Sequence, residues 1–587
     1  MNDQASYGVR VSKCFAFVRN LLLVSALFLT TSTVQAQTRE LITSYIDRWT
    51  EFYPSPAFGQ GQKKAALRFE DYSAERVSDW LQFNHQAEEI LRSTPERTPL
   101  DDRVDAQVLL RQVRLELERW EQDKVLSQQP QWYTGQISEA LTYVLVSEKF
   151  GDAEKYTAVV NRMAGVRALC NLGIRNLKDG NPAKIESALK SLEQTIGFYE
   201  TKLLAQSESW TEKADRDVFR NELDQTTKQM RELAEYIRAT VLPVAAVPDK
   251  FGRDVYTRKL AIFSDNSLTP EGLSAIALEE IDRVREMMLE LSATWWSEER
   301  AGMEPLKGQA LLDAALAAME DDRVGNRQDL LQMFREATKN SIEFVISHNI
   351  ATVPANRTII VELLPEHSPL ARIGGVFPPG PFDPEAKTLL YLPSIPDDAP
   401  QEARDGFYRS FNNHFNKMIV SHEIFPGHDM QFKVGLEYAS PIRALFHNPY
   451  HAEGWASFSE ILMLDAGWSN GDQLTRLAHL RKRLENATRA YISVMVHAEG
   501  WDKEQVITFA TTRGLLPAQF AANLWNRSAD LYMALQLTSY FVGFHGFERL
   551  WQREQQRLGD SFDSRKFVDK VLRAGSVPMN ALGEIVK

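Results

Sequence analysis

Apolar residues recur at three- and four-residue spacing along most of the 587-residue chain, and this periodicity restricts the fold more than any other feature. From about Thr38 to Ala245 the pattern is continuous, as in DAQVLLRQVRLELERW and ADRDVFRNELDQTTKQMRELAEYIRATV. Such spacing gathers the apolar side chains on one face of a helix. The pattern resumes at about Glu402 and continues to the C-terminus, so the sequence predicts a mainly α protein.

One segment, between Thr352 and Ser394, has a different character. It contains two short β-branched or alternating stretches, RTIIVELLP and AKTLLYLPS, separated by the Gly- and Pro-rich stretch RIGGVFPPGPFDPE. This pattern predicts one small antiparallel sheet with a long loop, at about 352–394. The turn LPVAAVPDKFG marks a boundary, so we expect an N-terminal helical region at 37–245 and a second region at 246–587.

The first 36 residues resemble a targeting segment. Arg10, Lys13 and Arg19 form a basic leader, LLLVSALFLTTSTV is apolar, and Val34-Gln35-Ala36 is a small-x-small cleavage site. We therefore expect a signal peptide at 1–36 and a periplasmic or secreted protein. No cysteine stands at the cleavage point, which disfavours a lipid-anchored form. No later apolar run is long enough to span a bilayer, so no membrane span is expected.

Composition excludes several classes of function. The formal net charge is −12 and no basic stripe is present, so nucleic acid is not an expected partner. After the leader, Cys170 is the only cysteine, and its helical, apolar context predicts a buried small hydrophobe. Nothing in the sequence defines the oligomeric state.

Eight of the eleven histidines lie between His414 and His545, where VSHEIFPGHDMQFK begins like the zinc signature His-Glu-x-x-His. Pro426 occupies the position of the second histidine, and His428 follows two residues later. Residues six apart on a straight helix differ by about 240°, so His422 and His428 would face away from each other. Pro426-Gly427 can break the helix. We therefore expect an interruption there that turns His428 back toward the metal held by His422.

A third metal ligand is expected from the helical stretch NPYHAEGWASFSEILMLDAG, within metal-binding helices at about 403–465. Two candidates compete, because His451 and Glu453 are two residues apart and point about 200° away from each other. We favour Glu453, since Gly454 and Ala456 leave room for close packing around an ion. A site with two histidines and one glutamate holds one Zn²⁺ and leaves a coordination position open.

HEIFPGHDMQ followed by EGWASFSE resembles a bacterial domain-of-unknown-function family of predicted zinc metallopeptidases of the gluzincin clan. The hallmark of that family is His-Glu-x-x-Pro-Gly-His followed by Glu-Gly-Trp-Ala. The chain departs from the family near the C-terminus, where Ala534-Leu535 replace Pro-Gly and Phe541 replaces a lysine. The resemblance implies a large, two-lobed helical metallopeptidase-like fold with a deep cleft and the small sheet beside the zinc site. Weaker matches extend the resemblance to this family over most of the chain: LTPEGLSAIALEEIDRV, GGVFPPGPFDP, VHAEGWDKEQVITF and ALQLTSYFVG.

The implied activity is zinc-dependent hydrolysis of peptide bonds. Glu423, adjacent to His422, is placed to act as general base toward a zinc-activated water. By their match to family motif positions, Tyr540 and His497 are candidates for stabilising the oxyanion, although each can equally be a structural core residue. Glu460 is a candidate for orienting a ligand imidazole.

Other readings of the same residues stay open. Asp429 either orients an imidazole as well or simply follows the helix break. The alternatives to a peptidase are a non-catalytic zinc-binding periplasmic protein and an amidohydrolase acting on a small non-peptide amide.

Overall fold

The computed structural model describes residues 36–147, 150–210, 213–265, 267–364, 374–529 and 533–587. The signal peptide expected at 1–36 lies outside these ranges except for Ala36. Within them the protein is mainly helical, with one small three-stranded sheet, as the periodicity predicts. No helix in the described ranges is both long enough and apolar enough to cross a membrane.

The N-terminal region is helical throughout. Short 3-10 segments occur at Lys63–Leu67 and Leu242–Val244, and α4, α9 and α11, whose ranges follow, each continue into one π-helical turn: Glu118–Gln122, Tyr199–Leu203 and Ile237–Val241. The helices are α1 at 36–52, α2 at Pro54–Gly59, α3 at Ala74–Arg92, α4 at Leu100–Leu117, α5 at Val125–Gln128, α6 at Pro130–Glu139, α7 at Thr142–Val146, α8 at Asp152–Asn176, α9 at Pro182–Phe198, α10 at Leu204–Trp210 and α11 at Lys213–Tyr236. Cys170 lies buried in α8, as predicted.

The second region contains four helices before the sheet and eleven after it within the described ranges. Before the sheet come α12 at Arg253–Phe263, α13 at Pro270–Glu299, α14 at Gly308–Asp321 and α15 at Arg327–Ser347. After it come α16 at Gln401–Ser410, α17 at Asn413–Glu423, α18 at His428–Tyr438, α19 at Pro441–Leu445, α20 at Pro449–Asp465, α21 at Gln473–His497, α22 at Lys503–Thr512, α23 at Ala518–Ser528, α24 at Met533–Leu558, α25 at Ser564–Arg573 and α26 at Met579–Ile585.

Asparagine caps fix the starts of two helices that matter below. The Asn412 side chain accepts a hydrogen bond from the backbone of Phe415 (2.9 Å), which begins α17. Asn448 does the same for Tyr450 (3.0 Å) and His451 (3.3 Å) at the start of α20, where Pro449 takes the first helical position. Each cap satisfies backbone donors that a helix start leaves unpaired.

The sheet is mixed, so the antiparallel sheet expected from the sequence is wrong in part. Strand β1 (Ile359–Leu363) pairs parallel with β3 (Thr388–Leu392), and β2 (Gly375–Phe377) pairs antiparallel with the other side of β3. A parallel pair requires a connection of about a dozen residues or more. The long Gly- and Pro-rich segment between β1 and β3 is sufficient for that crossover, and β2 lies within it.

Two apolar clusters meet at the helices that carry the histidines. The larger cluster joins the N-terminal region to the second region; for example, the rings of Tyr45 and Phe446 lie 5.8 Å apart. The second cluster is formed mainly by α12, α13, α14 and α21. Helix α24 contributes to both, through Phe547 in the first and Phe541 in the second. The boundary predicted near residue 245 therefore separates two regions that share a core.

Candidate metal centre

The helix break expected at Pro426-Gly427 is confirmed. Helix α17 ends at Glu423 and α18 begins at His428, with Ile424–Gly427 forming a turn that contains a cis Phe425–Pro426 peptide bond. Through this turn the ring of His428 comes within 4.8 Å of the ring of His422, centroid to centroid, at an interplanar angle of 84°. The two histidines of the modified motif therefore converge, as the sequence argument requires.

Helix α20 holds the turn in place. The indole N–H of Trp455 donates a hydrogen bond to the carbonyl oxygen of Pro426 (2.8 Å), and the Ser459 hydroxyl donates one to the carbonyl oxygen of Ser421 (2.9 Å). Trp455 is fully buried. At Gly427 a Cβ atom would lie 1.8 Å from the carbonyl oxygen of His422, so only glycine allows the turn to approach α17 this closely.

Glu453 is the third member of the cluster. Its Oε2 atom lies 3.6 Å from Nε2 of His422 and 3.4 Å from Nε2 of His428. Among the described residues this is the one group of three potential ligands whose donor atoms all lie within 4.8 Å of each other. Burial alone would raise the pKa of Glu453, but its contacts with the two imidazoles hold that pKa well below the usual range.

The donor set fits a metal ion. Oε2 of Glu453, the atom that faces both imidazoles, is buried and has no hydrogen-bond partner in the described part of the chain. Buried polar atoms are almost always paired, so orphaned ones call for a ligand. Two imidazole nitrogens and one carboxylate oxygen are the ligands of a catalytic zinc site.

His451, the competing candidate, is directed elsewhere. Its Nδ1 atom lies 3.1 Å from the carbonyl oxygen of Val577, and its ring packs edge-on against Phe547 at 5.3 Å. The ring is fully buried, and this burial lowers its pKa to about 4. The two-residue offset thus separates His451 from Glu453, as helix geometry predicts.

The small residue beside Glu453 has a different use from the one expected. A Cβ on Gly454 would lie 2.4 Å from Cα of Gly543, so the space at Gly454 admits the backbone of α24 and not an ion. Two glycines facing each other bring α20 and α24 into close contact. The sequence argument identified the tight packing but assigned it to the wrong neighbour.

Glu460 forms an outer layer around the candidate ligands. Its Oε1 atom lies 2.8 Å from Nδ1 of His422 and accepts a hydrogen bond from Lys482 Nζ (2.6 Å), and its Oε2 atom lies 2.8 Å from Nδ1 of His479. When Nε2 of His422 is a metal ligand, Nδ1 carries the hydrogen and donates it to Glu460. Lys482, 3.0 Å from the same Nδ1 atom, is therefore positioned by Glu460 rather than by the imidazole.

The contacts among Glu460, His422 and Lys482 shift the pKa values of the carboxylate and the imidazole. Burial opposes the charge on Glu460, but Lys482, His422 and His479 hold its pKa well below the usual range. Burial and the charge of Lys482 oppose protonation of His422, while the nearby carboxylates of Glu453 and Glu460 raise its pKa above the usual value. The sequence analysis missed His479 and Lys482, although their three-residue spacing on α21 places both on one face.

Asp429 contacts no imidazole among the described residues. It accepts hydrogen bonds from the Thr388 hydroxyl (2.5 Å) and from Lys433 Nζ (3.1 Å), and Lys433 also reaches the carbonyl oxygen of Thr358 (3.4 Å). Burial raises the pKa of Asp429 and lowers that of Lys433. This buried pair joins α18 to the sheet, so the suggestion that Asp429 orients a ligand is wrong.

Glu423 and Tyr540 border the cluster. Glu423, the last residue of α17, is half-buried, and no residue in the described ranges forms a hydrogen bond or an ion pair with its carboxylate. The ring of Tyr540 stacks on that of His422 at 6.5 Å. Burial and the carboxylates of Glu453 and Glu423 raise the pKa of Tyr540, which keeps the phenol protonated and able to donate.

His497 is occupied by backbone groups. Its Nδ1 accepts a hydrogen bond from the backbone N–H of Phe251 (3.2 Å), and its Nε2 lies 2.6 Å from the carbonyl oxygen of Ser528. Its ring also stacks on Tyr256 at 5.7 Å. These contacts assign His497 to the packing of α21 against α23 and the segment before α12. They leave neither ring nitrogen available to an oxyanion, so we leave it out of the proposed chemistry.

The fold and this cluster define a mainly helical protein with a candidate metal centre of two histidines and one glutamate. Residues 54–586 match the family described as "Bacterial protein of unknown function (DUF885)", and the chain belongs to that family. A comparison with curated proteins found no match.

Two solved structures share the fold. A candidate lipoprotein of unknown function from Shewanella oneidensis aligns with a TM-score of 0.78 and 21% identity, over 93% of this chain and 99% of its own. A candidate lipoprotein from Colwellia psychrerythraea aligns with a TM-score of 0.69 and 16% identity, over 94% of this chain and 98% of its own. At these identities the likeness establishes the fold alone.

Proposed function

We propose that this protein is a zinc-dependent hydrolase of peptide bonds. The observation that carries the proposal is the convergence of His422, His428 and Glu453 beside Glu423, a carboxylate with no partner among the described residues. A purely structural zinc site has no use for a free carboxylate next to a ligand, whereas a hydrolytic site requires a base at that position.

The chain's own residues divide the chemistry among them. Zinc, when bound by His422, His428 and Glu453, polarises the substrate carbonyl and makes water more acidic. The Glu423 carboxylate accepts the proton of the attacking water and passes it to the nitrogen of the leaving amine. The phenol of Tyr540 donates a hydrogen bond to the carbonyl oxygen as negative charge develops there.

The proposal extends to fold and location. Two consecutive helices joined by a turn supply two histidines, and a later helix supplies a glutamate. This arrangement supports membership of the gluzincin clan and a two-lobed, metallopeptidase-like fold with the site on the wall of a deep cleft. The basic and apolar leader at 1–36, and the description of the two similar structures as candidate lipoproteins, support export to the cell envelope or beyond.

The test is Glu423→Gln, measured on zinc-loaded protein with a mixed peptide library and mass spectrometry of the products. We expect the variant to bind zinc as the wild type does and to lose at least about 10²-fold in turnover. Glu402→Gln, the same change at an exposed position of α16, is the control and should retain full activity.

Each contrary outcome has a definite meaning. Turnover retained in Glu423→Gln would refute the assignment of the base. Cleavage of small amides but not of peptides would indicate the amidohydrolase. A wild type that binds zinc and hydrolyses neither would indicate the non-catalytic protein.

A further inference from the structure

Two arginines lie near Tyr540, whose ring borders the candidate metal cluster. The guanidinium carbon of Arg489, on α21, lies 5.8 Å from the centroid of the Tyr540 ring. That ring in turn stacks on His422 at 6.5 Å. Arg527 is on α23, which packs against α21 where the carbonyl oxygen of Ser528 lies 2.6 Å from Nε2 of His497, and its charge acts on both Arg489 and Tyr540. The two guanidinium groups therefore share one corner of the candidate site.

The positive charge at this corner is only partly neutralised. Arg489 pairs with Glu485 and donates a hydrogen bond to Asn486 Oδ1 (3.4 Å). Arg527 is half-buried and forms no hydrogen bond or ion pair with any residue in the described ranges. Burial, and then repulsion from Arg489, lower its pKa, while Tyr540 and Glu485 act in the opposite direction. The carboxylate of Glu485 is therefore the one negative charge among the described residues that is paired with Arg489, and Arg527 has no such pair.

A partly buried charge without a partner is unfavourable unless a ligand supplies the counter-ion. The planar guanidinium fork matches a carboxylate in particular, since it can donate two parallel hydrogen bonds to it. The unpaired carboxylate of Glu423 would repel an anion, so an incoming acidic group is directed toward the arginines instead.

We propose that Arg489 and Arg527 bind a carboxylate of the substrate. The identification of that substrate as a peptide rests on the proposed function. The two ring distances of 5.8 and 6.5 Å place the guanidinium of Arg489 no more than about 12 Å from the His422 ring. An extended peptide advances about 3.3–3.6 Å per residue. The carboxylate therefore belongs to a residue within a few positions of the scissile bond.

Two kinds of carboxylate fulfil this requirement: the C-terminal carboxylate of a short peptide, and an aspartate or glutamate side chain. Three libraries of short peptides distinguish them. The first has free C-termini and no acidic side chains, the second has the same sequences as C-terminal amides, and the third has C-terminal amides with aspartate or glutamate. Binding to zinc-loaded Glu423→Gln protein is measured by ultrafiltration and mass spectrometry, because this variant should not consume the peptides.

We expect the first or the third library to bind about 10- to 100-fold more tightly than the second, the gain from a charge-assisted contact. Adding Arg489→Gln or Arg527→Gln should remove most of that preference. Arg476→Gln, the same change about 20 Å earlier on α21, should preserve it. Arg489→Lys and Arg527→Lys keep the charge and lose the fork, so they should retain part of it even where a glutamine variant is poorly folded.

Equal binding of the amide library, binding of none of the three libraries, or a preference that survives both glutamine variants would overturn the proposal. Preference for the first library indicates the C-terminal carboxylate, and preference for the third indicates an acidic side chain. Hydrolysis by the zinc-loaded wild type is scored separately. A carboxylate preference without any hydrolysis would uphold this site and refute the peptidase.

Discussion

Replacing Gly427 by alanine should both destabilise the protein and weaken its metal binding. The added Cβ would lie 1.8 Å from the carbonyl oxygen of His422 and 2.5 Å from that of Ser421. Both obstacles are backbone atoms at the end of α17, and they cannot rotate away. To regain a 3.0 Å separation the turn must move by about 1 Å, and His428, the next residue, moves with it.

The cost follows from that displacement. Forcing extra volume into a packed site costs about 1–3 kcal/mol of unfolding free energy. Zinc ligands must lie within about 0.2 Å of their preferred distances, so a shift of about 1 Å removes His428 from the set. We therefore expect zinc affinity to fall at least about 10-fold.

Gly435→Ala, in the helix α18 that follows the turn, is the matched control. Its added Cβ meets only Cα of Gly575, at 3.7 Å, which is an ordinary contact. It should therefore be neutral or stabilise the protein by up to about 1 kcal/mol, because alanine is the better helix former. Urea unfolding and zinc content per chain are measured for both variants. If Gly427→Ala matched Gly435→Ala in both measurements, the close-approach argument would be refuted.

Two further predictions concern groups around the site and behind it. Glu460→Gln should weaken zinc binding about 10- to 100-fold, since it removes the charge that fixes the His422 tautomer; equal affinity in a zinc competition titration would contradict this. For His497, burial lowers the pKa to about 4 from an ordinary value near 6.5. Burial of neutral His497 contributes fully to stability above about pH 6.5, and this contribution is lost as the pH falls toward 4. Between these pH values only the unfolded chain takes up the proton, which lowers the free energy of unfolding by up to about 3 kcal/mol. His497→Gln should flatten that part of the curve of unfolding free energy against pH. If the wild type and the variant differed in unfolding free energy by the same amount at pH 4 and at pH 7, the prediction would be wrong.

The sequence predicted those features that depend on local geometry. Helical periodicity predicted the mainly α fold, and Pro426-Gly427 predicted the interruption after α17. The grouping of Glu453 with His422 and His428 followed because helix geometry allows only one of His451 and Glu453 to face the histidines. Each of these arguments uses residues a few positions apart, where backbone geometry is decisive.

The features that the sequence did not predict depend on distant partners. Nothing local shows that β1 lies parallel to β3, since strand pairing is decided by the path of a long connection. The role of Asp429 depends on Thr388 in the sheet, and that of Gly454 on Gly543 in a helix far along the chain. Histidine is a residue type common in catalytic sites, but the contacts of His497 come from Phe251 and Ser528.

The central claim is that Glu453, and not His451, completes a metal site with His422 and His428. The most direct measurement is zinc per chain after purification in limiting zinc. We expect about one zinc in the wild type and in His451→Ala, and strong depletion in Glu453→Ala. Depletion of His451→Ala with a full complement in Glu453→Ala, or a wild type that binds no zinc, would contradict the account.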